Sequence, residues 1–301
     1  MKRLQWIFWG MVGVMMLVGC GGGEVATPTV GDSAAVVVES GDDMGSSSGA
    51  LQVMVGSDDF AVGTPRVPLI LFDGPDVAED VQSVVVEIFK LVEGGEPELV
   101  GFGEARGYTD YKVPYWVAYP DFATAGNWGL GLTMERGDGS IVQGSVVVRV
   151  SEENNGPALG AVPPASENRT LADGWTVAEL SSDPTLAEGL YAMTVAEALV
   201  SERPTVVTLA TPAYCTSQLC SPVVESVEAM YEKIGSEQAN FIHLEIYQEF
   251  DPLKVADEVE EWGLKTEPWT FVLDAEGRVT ARFGGPLAVS ELEAALKELG
   301  L

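Results

Sequence analysis

The stretch ATPAYCTSQLCSPVV, residues 210–224, decides how the second half of the chain is read. It holds two of the three cysteines, Cys215 and Cys220, with four residues between them. Redox and metal-binding pairs are usually spaced CxxC. CTSQLC is therefore open to four readings: a working dithiol, a static staple, half a metal site, or two idle thiols. Just upstream, residues 205–211 (TVVTLAT) are apolar and β-branched and read as a strand. Downstream, Ser221 and Pro222 read as a helix cap followed by a proline at the first helical position. Val223, Val227, Met230 and Ile234 then share one helical face. An earlier start, with Thr216 or Ser217 as the cap and Pro222 at a bend, fits the same residues. On a helix, residues five apart diverge by about 140°, whereas a disulfide needs Cα atoms within roughly 7 Å. Bridging thus requires Cys215 to sit in a loop, or the first turn to unwind.

Around this stretch, helix and strand signals alternate. Thr194 and Glu197 form a capping box for a short helix closed by Pro204. Residues 241–247 read as a strand with His243, Glu245 and Tyr247 on one face and Ile242, Leu244 and Ile246 on the other. Asp251 and Pro252 open a helix expected to turn Val255, Val259 and Trp262 inward and to end at Gly263. Residues 270–273 and 279–283 read as a hairpin about 274–278. Ser290 with Glu293 caps a last helix carrying Leu292, Ala295, Leu296 and Leu299.

The resulting order, α-β-α-β-α-β-β-α with a dithiol after the first strand, resembles the thioredoxin fold over residues 190–301. The resemblance implies that Cys215 is the nucleophilic thiol at the mouth of a helix, whose free amides favour a thiolate. Cys220 would then resolve the mixed disulfide. A second landmark agrees. In LKTEPWTFVLDAEGRV, Pro268 stands where the family places a cis-proline that faces the dithiol and holds the substrate backbone. Tyr214, Trp269 and Glu267 would line the substrate lip. Three features depart from the family: the four-residue gap, Leu209 where many members keep a buried Asp, and Glu267, a carboxylate that would oppose thiolate formation at Cys215. CTSQLC also matches the C-T-x-x-x-C of Q-type peroxiredoxins, but Pro212 and Thr208 occupy that family's upstream Thr/Ser and Pro positions. Sco-type copper chaperones pair CxxxC with a distant His. The single His, His243, lies in a strand where that pattern does not put it. Two Cys and one His leave a zinc site short of ligands, and no metal or cofactor is expected. ATPxxC…C, WGL and EPW…FVLD together resemble lipoproteins that carry a thioredoxin-like domain behind a β-sandwich.

The rest of the chain fits that organisation. Lys2 and Arg3, then an apolar run, then LVGC ending at Cys20 resemble a lipoprotein signal (residues 1–20) whose cysteine is lipidated. The apolar run is shorter than the roughly 20 residues of a spanning helix. Residues 21–50 are an acidic, disordered tether. Residues 51–150 show seven short β-runs between Asp-Gly, Gly-Gly and Gly-Asn pairs, as in an Ig-like sandwich. In GNWGLGL, Trp128, Leu130 and Leu132 share one face. The aromatic stretch 108–122 reads as core and edge packing. Residues 151–189, rich in Gly, Pro, Ser and Asn, read as a linker, with Trp175, Val177 and Leu180 able to fold back.

A net charge of −30 excludes nucleic acid as a partner and docking on anionic lipid by charge. No phosphate-binding or hydrolase motif is present. The lipidated Cys20 would hold the protein on the membrane's outer face. There Cys215 and Cys220 form an even pair in a disulfide-permissive place. The expectation is two domains, an all-β Ig-like sandwich and an α/β thioredoxin-like fold. It would act as a tethered thiol–disulfide oxidoreductase on protein thiols or disulfides outside the cytoplasm. The rival is a non-catalytic binding module with a structural bridge.

Overall fold

The computed structural model describes residues 51–301. The expected signal (1–20) with Cys20 and the expected tether (21–50) lie outside the described residues. The fold is mostly β, with five α-helices among the described residues. No described helix is long and apolar enough to cross a membrane.

The N-terminal half is one curled sheet. Its strands are β1 (Gln52–Val55), β2 (Phe60–Ala61), β3 (Val67–Asp73), β4 (Asp76–Val77), β5 (Val81–Lys90), β6 (Glu98–Tyr108), β7 (Tyr115–Ala118), β8 (Gly126–Arg136) and β9 (Ile141–Ser151). They run in the order β1-β3-β7-β6-β5-β8-β9-β2, with β4 on β3. Strand β6 folds the sheet over: Ala105 and the residues before it pair with β5, whereas Arg106, Gly107 and Tyr108 pair with β7. Period-two alternation fills the space between the resulting layers. Trp128, Leu130, Leu132 and Met134 of β8 are buried against Leu69, Leu71 and Trp116 from the other layer. Each such side chain contributes about 1.5–3 kcal/mol. The arrangement is sandwich-like and contains a strand at each of the seven expected runs. The added β2 and β4 are two residues each, too short to leave a pattern.

The C-terminal half holds α1 (Val177–Leu180), α2 (Val195–Leu199), β10 (Thr205–Ala210), α3 (Cys220–Ile234), β11 (Asn240–Glu245), β12 (Tyr247–Phe250), β13 (Leu253–Val255), α4 (Asp257–Glu261), β14 (Trp269–Leu273), β15 (Val279–Gly284) and α5 (Val289–Lys297). Its sheet runs β11-β10-β14-β15, parallel between β10 and β11 and antiparallel elsewhere. Alternation splits the sheet's side chains. Val206, Phe241 and Val272 pack with Val223, Val227 and Met230 of α3 and Leu292 and Leu296 of α5. Val207, Leu209, Ile242, Leu244 and Phe271 face Val195 and Ala198 of α2 and Trp262. The α2 capping box forms as read: Glu197 N–H donates to Thr194 Oγ1 (3.0 Å) and Thr194 N–H to Glu197 Oε2 (2.9 Å).

Four expectations are corrected. Residues 251–255 are not helical. Asp251 and Pro252, joined by a cis peptide, turn the β12–β13 hairpin, and helix α4 starts only at Asp257. Val255 matched the helical spacing, yet it is β-branched and 53% exposed. The hairpin closes where Ala256 N–H donates to Ile246 O (2.8 Å). Helix α3 starts at Cys220, with Leu219 as its cap and Pro222 at the third position, where a missing N–H leaves no bond unmade. Helix α5 is capped by Ala288, not Ser290, and Glu293 instead pairs with Lys233 and Lys297. Finally, the stretch read as a linker is largely built into the C-terminal core. Leu180 and Leu186 are buried there. Ser166 Oγ accepts from Trp262 Nε1 (3.0 Å), and Asn168 Oδ1 accepts from Val195 N–H (2.8 Å). A segment held by scattered polar contacts has no hydrophobic period to read.

Buried ion pairs join the halves. Arg66 donates to both carboxylate oxygens of Glu291 (2.7 and 2.8 Å) and to the carbonyls of Gly284 and Pro286. Tyr115 OH donates to Glu291 Oε2 (2.6 Å) and accepts from Ala288 N–H (2.8 Å). Arg282 pairs with Asp59 at 2.7 Å. Of the 108–122 aromatics, Tyr108, Tyr111 and Tyr115 pack at this junction, Trp116 and Phe122 pack in the N-terminal core, and Tyr119 is exposed.

Candidate functional site

The site lies where β10 ends and α3 begins. All six residues of β10 are buried, so the strand is a fixed base for the loop that follows. That loop carries Cys215 five residues ahead of the helix, one of the two arrangements the spacing allows. Cys215 and Cys220 form a disulfide with Cα atoms 6.0 Å apart. The two sulfurs are unequal. Cys220 is wholly buried as the first residue of α3, within the core formed with Val223 and Val227. Cys215 is half-buried, its Sγ 3.2 Å from Ser217 Oγ. Gln218 reverses the chain at φ 59°, a left-handed conformation that costs about 1–2 kcal/mol in a residue other than glycine.

The former linker braces this loop. Ser182 Oγ accepts from Ala213 N–H (3.0 Å), and Ser182 N–H donates to Glu245 Oε2 (2.8 Å). Glu245 is buried at the end of β11 and also accepts from Ile246 N–H at Oε1 (3.0 Å). Sequence reasoning put Glu245 on the same face as His243 but assigned it no role, and Ser182 carried no signal.

Pro268 is buried, follows a cis peptide, and immediately precedes β14, which pairs with β10. Glu267 lies against the disulfide: one of its carboxylate oxygens and both sulfurs lie within 4.8 Å of one another. Its Oε2 is buried with no hydrogen-bond partner. Burial, then the nearby Glu245 charge, push its pKa up to about 7. Tyr214 is 40% exposed beside Cys215, edge-on to Tyr247 and stacked on Phe250. Trp269 is not at this lip. Alternation along β14 sends it to the opposite face, 3% exposed, stacked on Phe271 and under the Arg282 guanidinium. Phe250 stands with Tyr214 instead; its hairpin was hidden by the helix expected from Asp251.

His243 offers no free ligand atom. Its Nε2–H donates to Ala210 O (3.1 Å), and its Nδ1 accepts from Tyr191 OH (2.7 Å). Burial lowers its pKa and keeps the ring neutral. Leu209 is buried among apolar side chains, so nothing ionisable lies at that position. On reduction, Cys215, Cys220 and Glu267 present three ligand atoms, one short of a closed tetrahedral site. Oxidised, the sulfurs are spent on each other.

No protein-family model matches the chain, and no curated protein matches it. Among solved structures, CopC from Methylosinus trichosporium OB3b is 22% identical over 34% of this chain and 92% of that one, with a TM-score of 0.24. A DsbF homologue from Corynebacterium diphtheriae is 16% identical over 36% of this chain and 77% of that one, with a TM-score of 0.28. The PmoD soluble domain from a Methylocystis species is 16% identical over 32% of this chain and 78% of that one, with a TM-score of 0.22.

Proposed function

We propose that residues 190–301 form a thioredoxin-like domain and that the protein is a thiol–disulfide oxidoreductase working through Cys215 and Cys220. The observation that carries this reading is the inequality of the two sulfurs: Cys215 half-exposed beside an aromatic lip, Cys220 sealed at the first residue of α3. That asymmetry orders the chemistry. The Cys215 thiolate attacks one sulfur of a substrate disulfide, and the other leaves as a thiolate. Cys220 then attacks the Cys215 sulfur, expels the second substrate thiolate and restores the observed bridge. Run backwards, the same steps oxidise a substrate dithiol. Tyr214 with Phe250 would hold apolar substrate side chains, and the backbone at Pro268 would align the substrate chain.

The setting is part of the proposal. The lipobox at Cys20 would anchor the protein outside the cytoplasm, with an Ig-like sandwich between the anchor and the redox domain. Replacing Cys20 with Ala should release the protein from membranes.

Thiol trapping across a graded redox buffer tests the central claim. A working pair should titrate above about −300 mV, and Cys215→Ser should abolish exchange with small disulfides. A potential well below that value, or full activity in Cys215→Ser, would leave the bridge as a structural staple.

A further inference from the structure

We infer that Glu267 is the proton carrier of this dithiol, taking protons from Cys220 and returning them to the departing substrate thiol. This deepens the oxidoreductase reading and rests on it. A buried resolving thiol cannot attack until it loses its proton, and Cys220 is cut off from solvent. From β10, the strand beneath the loop, Cys220 gets no help, because Leu209 is packed in the apolar core. The other approach is from the turn before β14. There the Glu267 carboxylate lies within 4.8 Å of both sulfurs, and Oε2 is buried without a partner. Among the described residues nothing else claims that oxygen. Arg282, the cation nearest along β15, is committed to Asp59 at 2.7 Å.

The groups facing Glu267 are few. Glu245 comes from the end of β11 and Tyr247 from β12. The two cysteines come from the loop and from α3. None is a cation, so Glu267 is under no pull to stay ionised. A carboxyl poised near neutrality can take and return a proton at little cost.

The step balances without another reactant. With Cys215 joined to the first substrate sulfur, Cys220–SH gives its proton to the Glu267 carboxylate. The Cys220 thiolate attacks Cys215 Sγ; the Cys215–substrate bond breaks as the Cys215–Cys220 bond forms. The substrate thiolate leaves and receives the proton from the Glu267 carboxyl, which returns to its starting state.

The test uses the protein as it exists, reduced and mixed with excess glutathione disulfide, quenched and read by mass spectrometry from pH 5 to 9. In Glu267→Gln, Cys215 should still form its glutathione adduct, no slower than in the wild type, but resolution should slow about 100-fold near pH 7, so the adduct accumulates. The limb of the pH profile near pH 7 should vanish in Glu267→Gln and persist in Glu267→Asp. An unchanged profile with no accumulated adduct would overturn the assignment while leaving the oxidoreductase reading intact. A wild type that never reacts with glutathione disulfide would sink that reading, and this one with it.

Discussion

Replacing Glu267 by Gln should make the oxidised protein more stable at pH 8 and leave it unchanged at pH 4. The structure gives both the sign and the size. The folded carboxyl titrates at about 7 against an ordinary value of 4.5, because burial and Glu245 oppose its charge. Between those two values the folded state holds a proton that the unfolded chain releases. Stability from this group is therefore full below pH 4.5, falls as pH rises towards 7, and is flat beyond. Each step of one in pKa corresponds to about 1.4 kcal/mol, so the whole interval amounts to about 3.5 kcal/mol. The carboxyl is partly open to solvent, which screens the charge and reduces this to about 1.5 kcal/mol. Gln has nearly the same shape and does not ionise, so it escapes this penalty. Urea denaturation of the disulfide-intact proteins at pH 4, 6 and 8 measures the difference directly. The gain should be near zero at pH 4, intermediate at pH 6 and about 1.5 kcal/mol at pH 8. A gain independent of pH, or one largest at pH 4, would refute the claim that Glu267 is a destabilised anion beside the disulfide.

Three further outcomes are expected. Arg66→Ala leaves Glu291 buried and unpaired and should cost about 3–5 kcal/mol in urea denaturation, with new protease-sensitive sites where the halves meet. Leu219→Ala opens a cavity between the N-terminal sheet and the disulfide loop and should cost about 2–4 kcal/mol, read as a lower urea midpoint. Gln218→Gly relieves a left-handed backbone position and should add up to about 1 kcal/mol, seen as a higher melting temperature, whereas Gln218→Val should lower it.

Most strands were legible because alternation is a local signal. Trp128, Leu130, Leu132 and Met134 declare a buried face without help from the rest of the chain. That the two cysteines do not both sit on a regular helix was legible from geometry, since residues five apart on a helix cannot be bridged; the choice between a loop and an unwound turn was not. Where the reading failed, two patterns competed or none existed. Val255, Val259 and Trp262 fit a helical stripe, but the hairpin that displaces its start is fixed by a backbone bond from Ala256 to Ile246, which no spacing shows. Trp269 was placed at the lip by its nearness in sequence to Pro268, although one residue along a strand is enough to reverse a side chain. Ser182 and its neighbours act through single hydrogen bonds at long range, below anything composition can register.

The β-sandwich, silent in sequence as to its purpose, has a physical connection to the dithiol. Leu219, the residue immediately before Cys220, is buried in a cluster with Ile70, Tyr108, Tyr115 and Val117 of the sandwich and Ala288 at the start of α5. The same Tyr115 bonds Glu291 and the Ala288 amide, and Arg66 closes the group from the sandwich side. The start of α3 is thereby packed against a second β-layer as well as its own sheet. On the far side of the sheet, Asp59 holds Arg282 over Trp269, next to Pro268. Thus the chain segments on both sides of the disulfide, 219–220 and 268–269, are each backed by a contact reaching into the sandwich. A loop with a four-residue gap has more freedom than CxxC, and closing a disulfide in it costs more entropy. Packing Leu219 into the sandwich removes part of that freedom before the bond forms. The wide spacing and the N-terminal sheet are on this argument one arrangement: the sheet supplies the rigidity that a tighter motif would carry by itself.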